Sequence, residues 1–158
     1  GTWLKEHPKD VAFRMYQGDR ATGQKNFVQA VNHYQAALDI QPNNALILNN
    51  LAWASGQTKS PKALDYAEKA NQLAPNQPAF MDTLAMLLAD KGETAKAVEL
   101  LRKALSTAPQ ASAIQLNLAK VLIASGKKDE ARKELDVLAK MGDKFPSQAE
   151  VSQLLKSL

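Results

Sequence analysis

The hydrophobic positions of this chain recur at spacings of three and four residues, separated by charged and polar residues. Ala30, Tyr34 and Ala37 form one such set. Residues at these spacings lie on one face of an α-helix, so the set predicts an amphipathic helix. The pattern returns twice further along the chain, in the sets Ala63, Ala67, Ala70 and Ala97, Leu101, Ala104. Small residues on such a face predict that a second helix approaches closely.

Each of these helices follows another predicted helix, in which a large apolar residue stands beside glycine or alanine. The phrases that mark these first helices are Met15-Tyr-Gln-Gly18, Asn50-Leu-Ala52, Thr83-Leu-Ala85 and Asn117-Leu-Ala119. Glycines at 23, 56, 92 and 126 stand where the first helices should stop, because glycine accepts the left-handed conformation that ends a helix. Pro61 suits the first turn of its helix. The pattern predicts a series of helical hairpins, with a tight turn at Ser60-Pro61 in the second one.

Prolines at positions 8, 42, 75 and 109 are separated by 34, 33 and 34 residues. A fixed period of this size is typical of repeat proteins. The period, combined with glycine or alanine, alanine, tyrosine, alanine and proline at these spacings, resembles the tetratricopeptide repeat over nearly the whole chain. The resemblance implies an all-α fold, a right-handed α-solenoid of about nine helices with a C-terminal capping helix.

The same alignment sets the expected bounds of a single repeat array. Residues 1–8 are expected to be the end of a truncated repeat, followed by full repeats at 9–42, 43–75 and 76–109. A degenerate fourth repeat at 110–142 lacks the terminal proline, and 147–158 is the capping helix. The cap carries its apolar side chains on one stripe, at Val151, Leu154, Leu155 and Leu158. Such a cap shields the apolar end of a repeat array from solvent.

Three further phrases resemble a narrower group of proteins. Trp3-Leu-Lys-Glu-His-Pro8, Asn49-Asn-Leu-Ala-Trp53 and Gly142-Asp-Lys-Phe-Pro146 are similar to the C-terminal part of bacterial tetratricopeptide lipoproteins associated with exopolysaccharide export and PEP-CTERM protein sorting. This resemblance implies a periplasmic or outer-membrane-associated protein, tethered through a preceding N-terminal segment. The start at Gly1 instead of methionine predicts a piece of a longer protein. If the resemblance fails, a cytoplasmic location stays open.

The amino-acid composition excludes several classes of protein. The 158 residues are 45% hydrophobic, which is enough to bury a sizeable core. No apolar run approaches the roughly 18 residues of a membrane span. The chain has no cysteine, which excludes a disulfide scaffold, thiolate metal sites and a cysteine nucleophile. The formal charge of +4 is spread along the sequence, so nucleic-acid binding is not favoured.

No arrangement of residues predicts catalysis. His7 and His33 are the two histidines, and neither stands in a pattern with serine or carboxylate that would make it a base. The glycines are isolated and form no phosphate-binding loop, and no metal-binding motif is present. We therefore expect a protein that is not an enzyme and that uses no metal or cofactor.

The predicted functional feature is a surface. The first helices of stacked hairpins line a concave groove. By the tetratricopeptide resemblance, a peptide-binding groove would be formed by Met15, Asp19, Asn49, Trp53, Asp82, Met86, Leu116 and Lys120. Methionines and an aromatic residue beside acids favour a peptide that carries apolar anchors and a basic residue. The Lys and Asn pattern with which some tetratricopeptide domains clamp a terminal carboxylate is not matched here.

The chain is thus expected to be a non-catalytic protein–protein interaction scaffold, acting in bacterial envelope export or protein sorting if the narrower resemblance holds. Its partner would be a protein or peptide of unknown identity. Two alternatives stay open, an RNA-binding helical repeat and an accessory region of a larger enzyme. RNA readout needs a regular pair of base-contacting residues in each repeat, whereas the groove set changes between repeats. Trp53 could also pack between first helices instead of lining a groove.

Overall fold

A computed structural model describes residues 10–158 of the chain. Every regular element in this range is helical, which confirms the predicted all-α helical-repeat fold. The helices are α1 Val11–Gly23, α2 Phe27–Ile40, α3 Ala45–Gln57, α4 Ala63–Leu73, α5 Pro78–Asp90, α6 Thr94–Thr107, α7 Ser112–Ala124, α8 Lys128–Ala139 and α9 Gln148–Ser157, with a short 3₁₀ turn at Gly142–Lys144. The truncated repeat predicted at 1–8 lies outside the described residues.

The chain divides into two compact units, Gly1–Pro75 and Asn76–Leu158. The first unit contains the hairpins α1–α2 and α3–α4, and the second contains α5–α6, α7–α8 and α9. The boundary coincides with the end that the proline period predicts for the second repeat.

Side-chain caps begin three of the four described helices in the first unit. Asp10, Asn26 and Asn44 each accept a hydrogen bond from the backbone N–H three residues further on, at 2.8, 3.3 and 3.2 Å. Each bond satisfies one of the N–H groups that have no partner inside the first turn of a helix. The start of α1, α2 and α3 is therefore set locally by the sequence.

The first hairpin closes around Tyr34, which is 3% exposed. The aromatic ring lies against Gly18, where an added Cβ would come within 2.4 Å of it. The Tyr34 hydroxyl donates to Asp19 Oδ1 at 2.6 Å and lies 3.3 Å from Thr22 Oγ1. Burial, and then the hydrogen bond with Asp19, raises the pKa of Tyr34 to about 12. The small residue predicted at 18 is therefore required by contact with an aromatic ring.

The core of the first unit joins its two hairpins. One buried cluster of this core consists of Ala21, Ala30, Tyr34, Leu51 and Ala54, and the partly buried Met15, Val31, Leu38 and Tyr66 pack against it. The Tyr66 hydroxyl also donates to Gln35 Oε1 at 3.2 Å. Adjacent hairpins in this unit are thus held by apolar contact and by a side-chain hydrogen bond.

The core of the second unit includes the C-terminal helix. Its buried cluster consists of Leu116, Ala119, Leu135, Leu138, Phe145 and Val151, with Ile123, Met141, Leu154, Leu155 and Leu158 partly buried against it. The Gln148 side-chain amide donates to the backbone oxygens of Leu138 and Gly142, at 2.7 and 3.0 Å. The stripe predicted for the capping helix therefore covers the apolar surface of α7 and α8.

The turns inside the hairpins differ in part from the sequence prediction. Gly92 and Gly126 have positive φ angles of 86° and 80°, as expected for glycines that end first helices. In the first two hairpins the left-handed residues are Lys25 and Lys59, with φ angles of 59° and 61°. The glycines predicted to stop these helices, at 23 and 56, lie inside α1 and α3 instead.

The prediction of a tight turn in the second hairpin is wrong. Residues 58–62 separate α3 from α4, whereas the other three hairpins have three-residue turns, at 24–26, 91–93 and 125–127. Pro61 precedes α4 and is not in its first turn. The second repeat is shorter than its neighbours because its second helix is shorter. Helix α4 has 11 residues, whereas α2 and α6 have 14.

Candidate functional site

The predicted groove residues lie in pairs, one turn apart, on the first helix of each hairpin. Met15 and Asp19 are on α1, and Asn49 and Trp53 are on α3, all in the first unit. The second unit carries Asp82 and Met86 on α5, and Leu116 and Lys120 on α7. The structure gives these pairs different degrees of exposure and different partners.

The α1 pair belongs partly to the packing of the first hairpin. Asp19 is exposed, and its carboxylate accepts the hydrogen bond from the buried Tyr34 hydroxyl. Met15 is partly buried and packs against the first-unit core. Asp19 therefore has a structural partner besides any ligand that it could contact.

Trp53 is both packed and exposed. Its indole ring meets the ring of Phe27 edge to face, with centroids 5.4 Å apart and an interplanar angle of 72°. The residue nevertheless keeps 41% of its surface exposed. Trp53 thus presents a rigidly supported aromatic surface, because the contact with Phe27 restricts the rotation of its side chain.

Asn49, one turn before Trp53, is 8% exposed. Its side-chain oxygen is buried and has no hydrogen-bond partner among the described residues. A buried amide oxygen without a partner carries an uncompensated desolvation cost. Asn49 therefore differs from Trp53 in offering little accessible surface to a ligand.

Asp82 is the most distinctive charged group on the predicted face. It is partly buried, and its Oδ1 accepts a hydrogen bond from the Asn117 side-chain amide at 2.9 Å. Burial raises the pKa of Asp82, although the hydrogen bond from Asn117 acts in the opposite direction. No Lys or Arg of the described residues forms an ion pair with it. Met86 lies partly buried one turn further along α5.

The pair on α7 is covered by the C-terminal helix. Leu116 is 5% exposed and belongs to the core cluster that includes Phe145 and Val151. Its side chain is not available to a ligand in this structure, because α9 takes up the apolar face of α7. Lys120 forms an ion pair with Glu150 of α9.

Sequence reasoning missed Asn117 and Glu150 as partners of the predicted residues. Asn117 follows Asp82 by one repeat period plus one residue, so contact between successive first helices could have indicated the pair. Glu150 gave no comparable signal, because only the docked position of α9 brings it to Lys120.

The described residues show no arrangement typical of a metal site or a membrane span. Within residues 10–158, no group of three or more His, Asp or Glu side chains is placed to hold a metal ion. In the same range, no helix is both long enough and apolar enough to cross a bilayer. His33 lies on α2, and burial, followed by the charge of Arg14, lowers its pKa.

Comparison of the sequence with protein families points to the tetratricopeptide repeat. Residues 88–158 match the sequence profile of that family. A TPR repeat-containing protein of Pseudomonas aeruginosa is 28% identical over 108 residues, which are 67% of this chain and 18% of that protein. The chain thus spans about a fifth of the length of this curated relative. These similarities support the tetratricopeptide resemblance and leave the lipoprotein resemblance as a proposal.

Solved structures with the same fold cover nearly the whole chain. A thermophilic TPR protein of Thermus thermophilus superposes with a TM-score of 0.82, at 18% identity, over 96% of this chain and 84% of that one. YrrB, described as a TPR protein with an unusual peptide-binding site, gives 0.73 at 16% identity, over 95% and 78%. MamA gives 0.72 at 18% identity, over 99% and 86%. At this level of identity the similarity establishes the helical-repeat fold and no more.

Proposed function

We propose that this chain is a non-catalytic scaffold that binds a peptide segment of a protein partner along the faces of its first helices. Packing in each hairpin constrains the small residues between the paired helices. The outward-facing residues of each first helix can therefore differ between proteins and bind different ligands. That a protein of the same fold is described as having a peptide-binding site supports the proposal by analogy.

The observation that carries the proposal is the environment of Asp82. A partly buried carboxylate that is paired with an amide, and with no cation of the described chain, keeps part of its interaction capacity unused. A cationic side chain of a ligand would stabilise the charged form of Asp82 and offset its desolvation. We therefore propose that the ligand places Lys or Arg at this position.

An apolar contact of the ligand is proposed at Trp53. The exposed part of the indole is supported from behind by Phe27, so contact with it costs little side-chain entropy. Aromatic anchors of this type commonly account for 2 kcal/mol or more of binding free energy on truncation. The preferred ligand would thus carry an apolar side chain as well as a base.

Selection from a displayed library of random peptides tests this specificity even while the natural partner is unidentified. We expect the selected sequences to be enriched in Lys or Arg together with large apolar residues. The same selection on Asp82→Asn should lose the enrichment in bases, because the amide keeps the bond with Asn117 but not the charge. Glu99→Gln is the matched control, since it removes an exposed carboxylate from α6 in the same unit.

The affinity of a selected peptide then measures each contact. Trp53→Ala should weaken binding by roughly 2 kcal/mol or more, and Trp53→Phe by less, in calorimetric titrations on folded protein. Peptides without enriched bases, or equal affinity in Asp82→Asn and Glu99→Gln, would refute the role of Asp82. Selection that yields no saturable binder at all would refute the peptide-scaffold function.

We further propose that this scaffold acts in a bacterial envelope assembly for export or sorting. The three phrases that resemble tetratricopeptide lipoproteins support this role. Fractionation of the native host should place the full-length protein in the envelope, where cross-linking should recover export or sorting components. Recovery from the cytosolic fraction alone would contradict the proposal.

A further inference from the structure

The first hairpin contains a polar pocket that the proposed peptide function does not use. The pocket has a volume of about 210 Å³ and lies between α1 and α2. Its lining is formed by Gln17, Arg20, Ala21, Gln24, Gln29 and His33. Three amides, a guanidinium and an imidazole can all donate hydrogen bonds, and the lining contains no carboxylate.

Two buried polar atoms beside this pocket have no hydrogen-bond partner in the described part of the chain. They are Nδ1 of His33, a residue of the pocket lining, and Nε of Arg14, which is not part of the lining. Arg14 precedes Gln17 by three residues on α1, so both lie on the side of the helix that faces His33. Burial, and then the charge of Arg14, lowers the pKa of His33. Unpaired buried groups of this kind are costly in a folded protein.

The equivalent place in the other hairpins shows what normally fills it. Alignment on Gly18, Ala52, Ala85 and Ala119 matches Arg14 and His33 with Leu48 and Tyr66, Met81 and Leu100, and Gln115 and Glu134. In the fourth hairpin the Gln115 amide donates to Glu134 Oε2 at 2.9 Å. A carboxylate of the chain itself satisfies the donor there. The first hairpin has the donors at this place and lacks the acceptor.

We propose that the pocket of the first hairpin binds the carboxylate of an acidic side chain on a protein ligand. A carboxylate accepts hydrogen bonds only, so it can pair with the guanidinium of Arg20, an exposed residue of the pocket lining. The amides of Gln17 and Gln29 supply further donors. A ligand bound in this pocket would thus supply a carboxylate acceptor, as Glu134 does within the fourth hairpin.

This site is separate from the predicted peptide groove. With 3.6 residues per turn, Met15 and Asp19 lie on a different stripe of α1 from Arg14, Gln17 and Ala21. A negative result in the Asp82 and Trp53 experiments would therefore not argue against the pocket proposal. A negative result at the pocket would likewise not argue against the peptide groove.

The test is an NMR titration of the full chain with a blocked glutamate, N-acetylglutamate N-methylamide, followed at the side-chain signals of Arg20 and His33. We expect saturable shifts with millimolar affinity, as suits a single small group. The isosteric glutamine analogue should produce none, because it lacks the charge. Inorganic phosphate forms a third arm. If phosphate binds and the blocked glutamate does not, the site takes a free anion and the proposal is overturned.

Variants assign the binding to the pocket. Arg20→Gln should weaken binding of the blocked glutamate by roughly tenfold or more, the scale expected for a charged hydrogen bond. Gln29→Ala changes an exposed lining residue whose loss should not disturb folding, and it should weaken binding by a smaller factor. Arg102→Gln, an exposed arginine of α6 paired with Glu130, is the control. Equal affinity in all three variants, or shifts that never saturate, would overturn the proposal.

Discussion

The two units build the same helical hairpin with different interactions. In the first unit, side chains cap three of the four described helices, and the tyrosine hydroxyls of Tyr34 and Tyr66 bond to Asp19 and Gln35. In the second unit, all of which the structure describes, none of the five α-helices has a side-chain hydrogen bond at its N-cap. Its buried aromatic residues, Phe80 and Phe145, have no hydroxyl group that could form such a bond.

The difference shows what the repeat pattern requires. Gly18 and Ala119 occupy equivalent positions, as do Tyr34 and Leu135, so a small residue and a large residue recur in both units. The repeat pattern does not determine whether the large residue also forms a hydrogen bond. The pattern thus specifies side-chain size at close helix contacts, while the chemistry of each hairpin can differ.

The largest expected effect is in the second unit, on removal of 147–158. The deletion exposes the buried cluster that Val151 and its neighbours cover. Since burial of one Val or Leu side chain stabilises by about 1.5–3 kcal/mol, we expect a loss on the order of 4 kcal/mol and increased aggregation. Denaturation and light scattering measure both. A monomeric product of unchanged stability would show that α9 contributes no packing energy.

The next effect is in the first unit, at Gly18. Replacement by alanine forces a Cβ to within 2.4 Å of the Tyr34 ring, so we expect destabilisation of about 2–3 kcal/mol. Gly23→Ala is the matched control, because nothing lies within 4 Å of its added Cβ and α1 still includes it. Urea denaturation should separate the two variants clearly. Equal midpoints would mean that the ring moves away without cost.

The hairpin turns allow two opposite substitutions, each with a smaller expected effect on stability. Lys25→Gly should stabilise the first unit by less than about 1 kcal/mol, since relief of left-handed strain is partly offset by glycine's greater loss of entropy. Gly92→Ala should destabilise the second unit by about 1 kcal/mol, because its φ of 86° is unfavourable for alanine. Thermal unfolding checks both signs. If both substitutions act in the same direction, φ does not explain the turn residues.

The last effect appears only at alkaline pH and concerns the stability of the first unit. The pKa of Tyr34 rises from an ordinary value of 10.0 to about 12 on folding, so the folded state favours the protonated hydroxyl. The resulting stability is fully present below pH 10 and is lost as pH rises towards 12. Tyr34→Phe should remove this dependence, whereas Tyr16→Phe, at an exposed tyrosine, should not. Ultraviolet titration of the tyrosines and denaturation at several pH values test the assignment.

The sequence predicts the candidate site less well than the fold, for reasons visible at single residues. The spacing of α7 predicts that Leu116 and Lys120 share a face, but not that α9 covers that face. For Trp53 the sequence leaves both groove and packing open, and the structure gives it an exposed surface as well as a contact with Phe27. Exposure depends on elements distant in sequence, which helical periodicity does not encode.

Local periodicity was sufficient for the helical hairpins, their order and the small residues between paired helices, because these depend on side-chain size at spacings of three and four. The positions of the left-handed residues, Lys25 and Lys59, and the long turn before α4 needed the packed hairpins, since helix ends adjust until neighbouring helices meet. The sequence also did not indicate that Arg14 Nε and His33 Nδ1 would be buried without hydrogen-bond partners. A donor without an acceptor is recognisable only when the surrounding chain is in place.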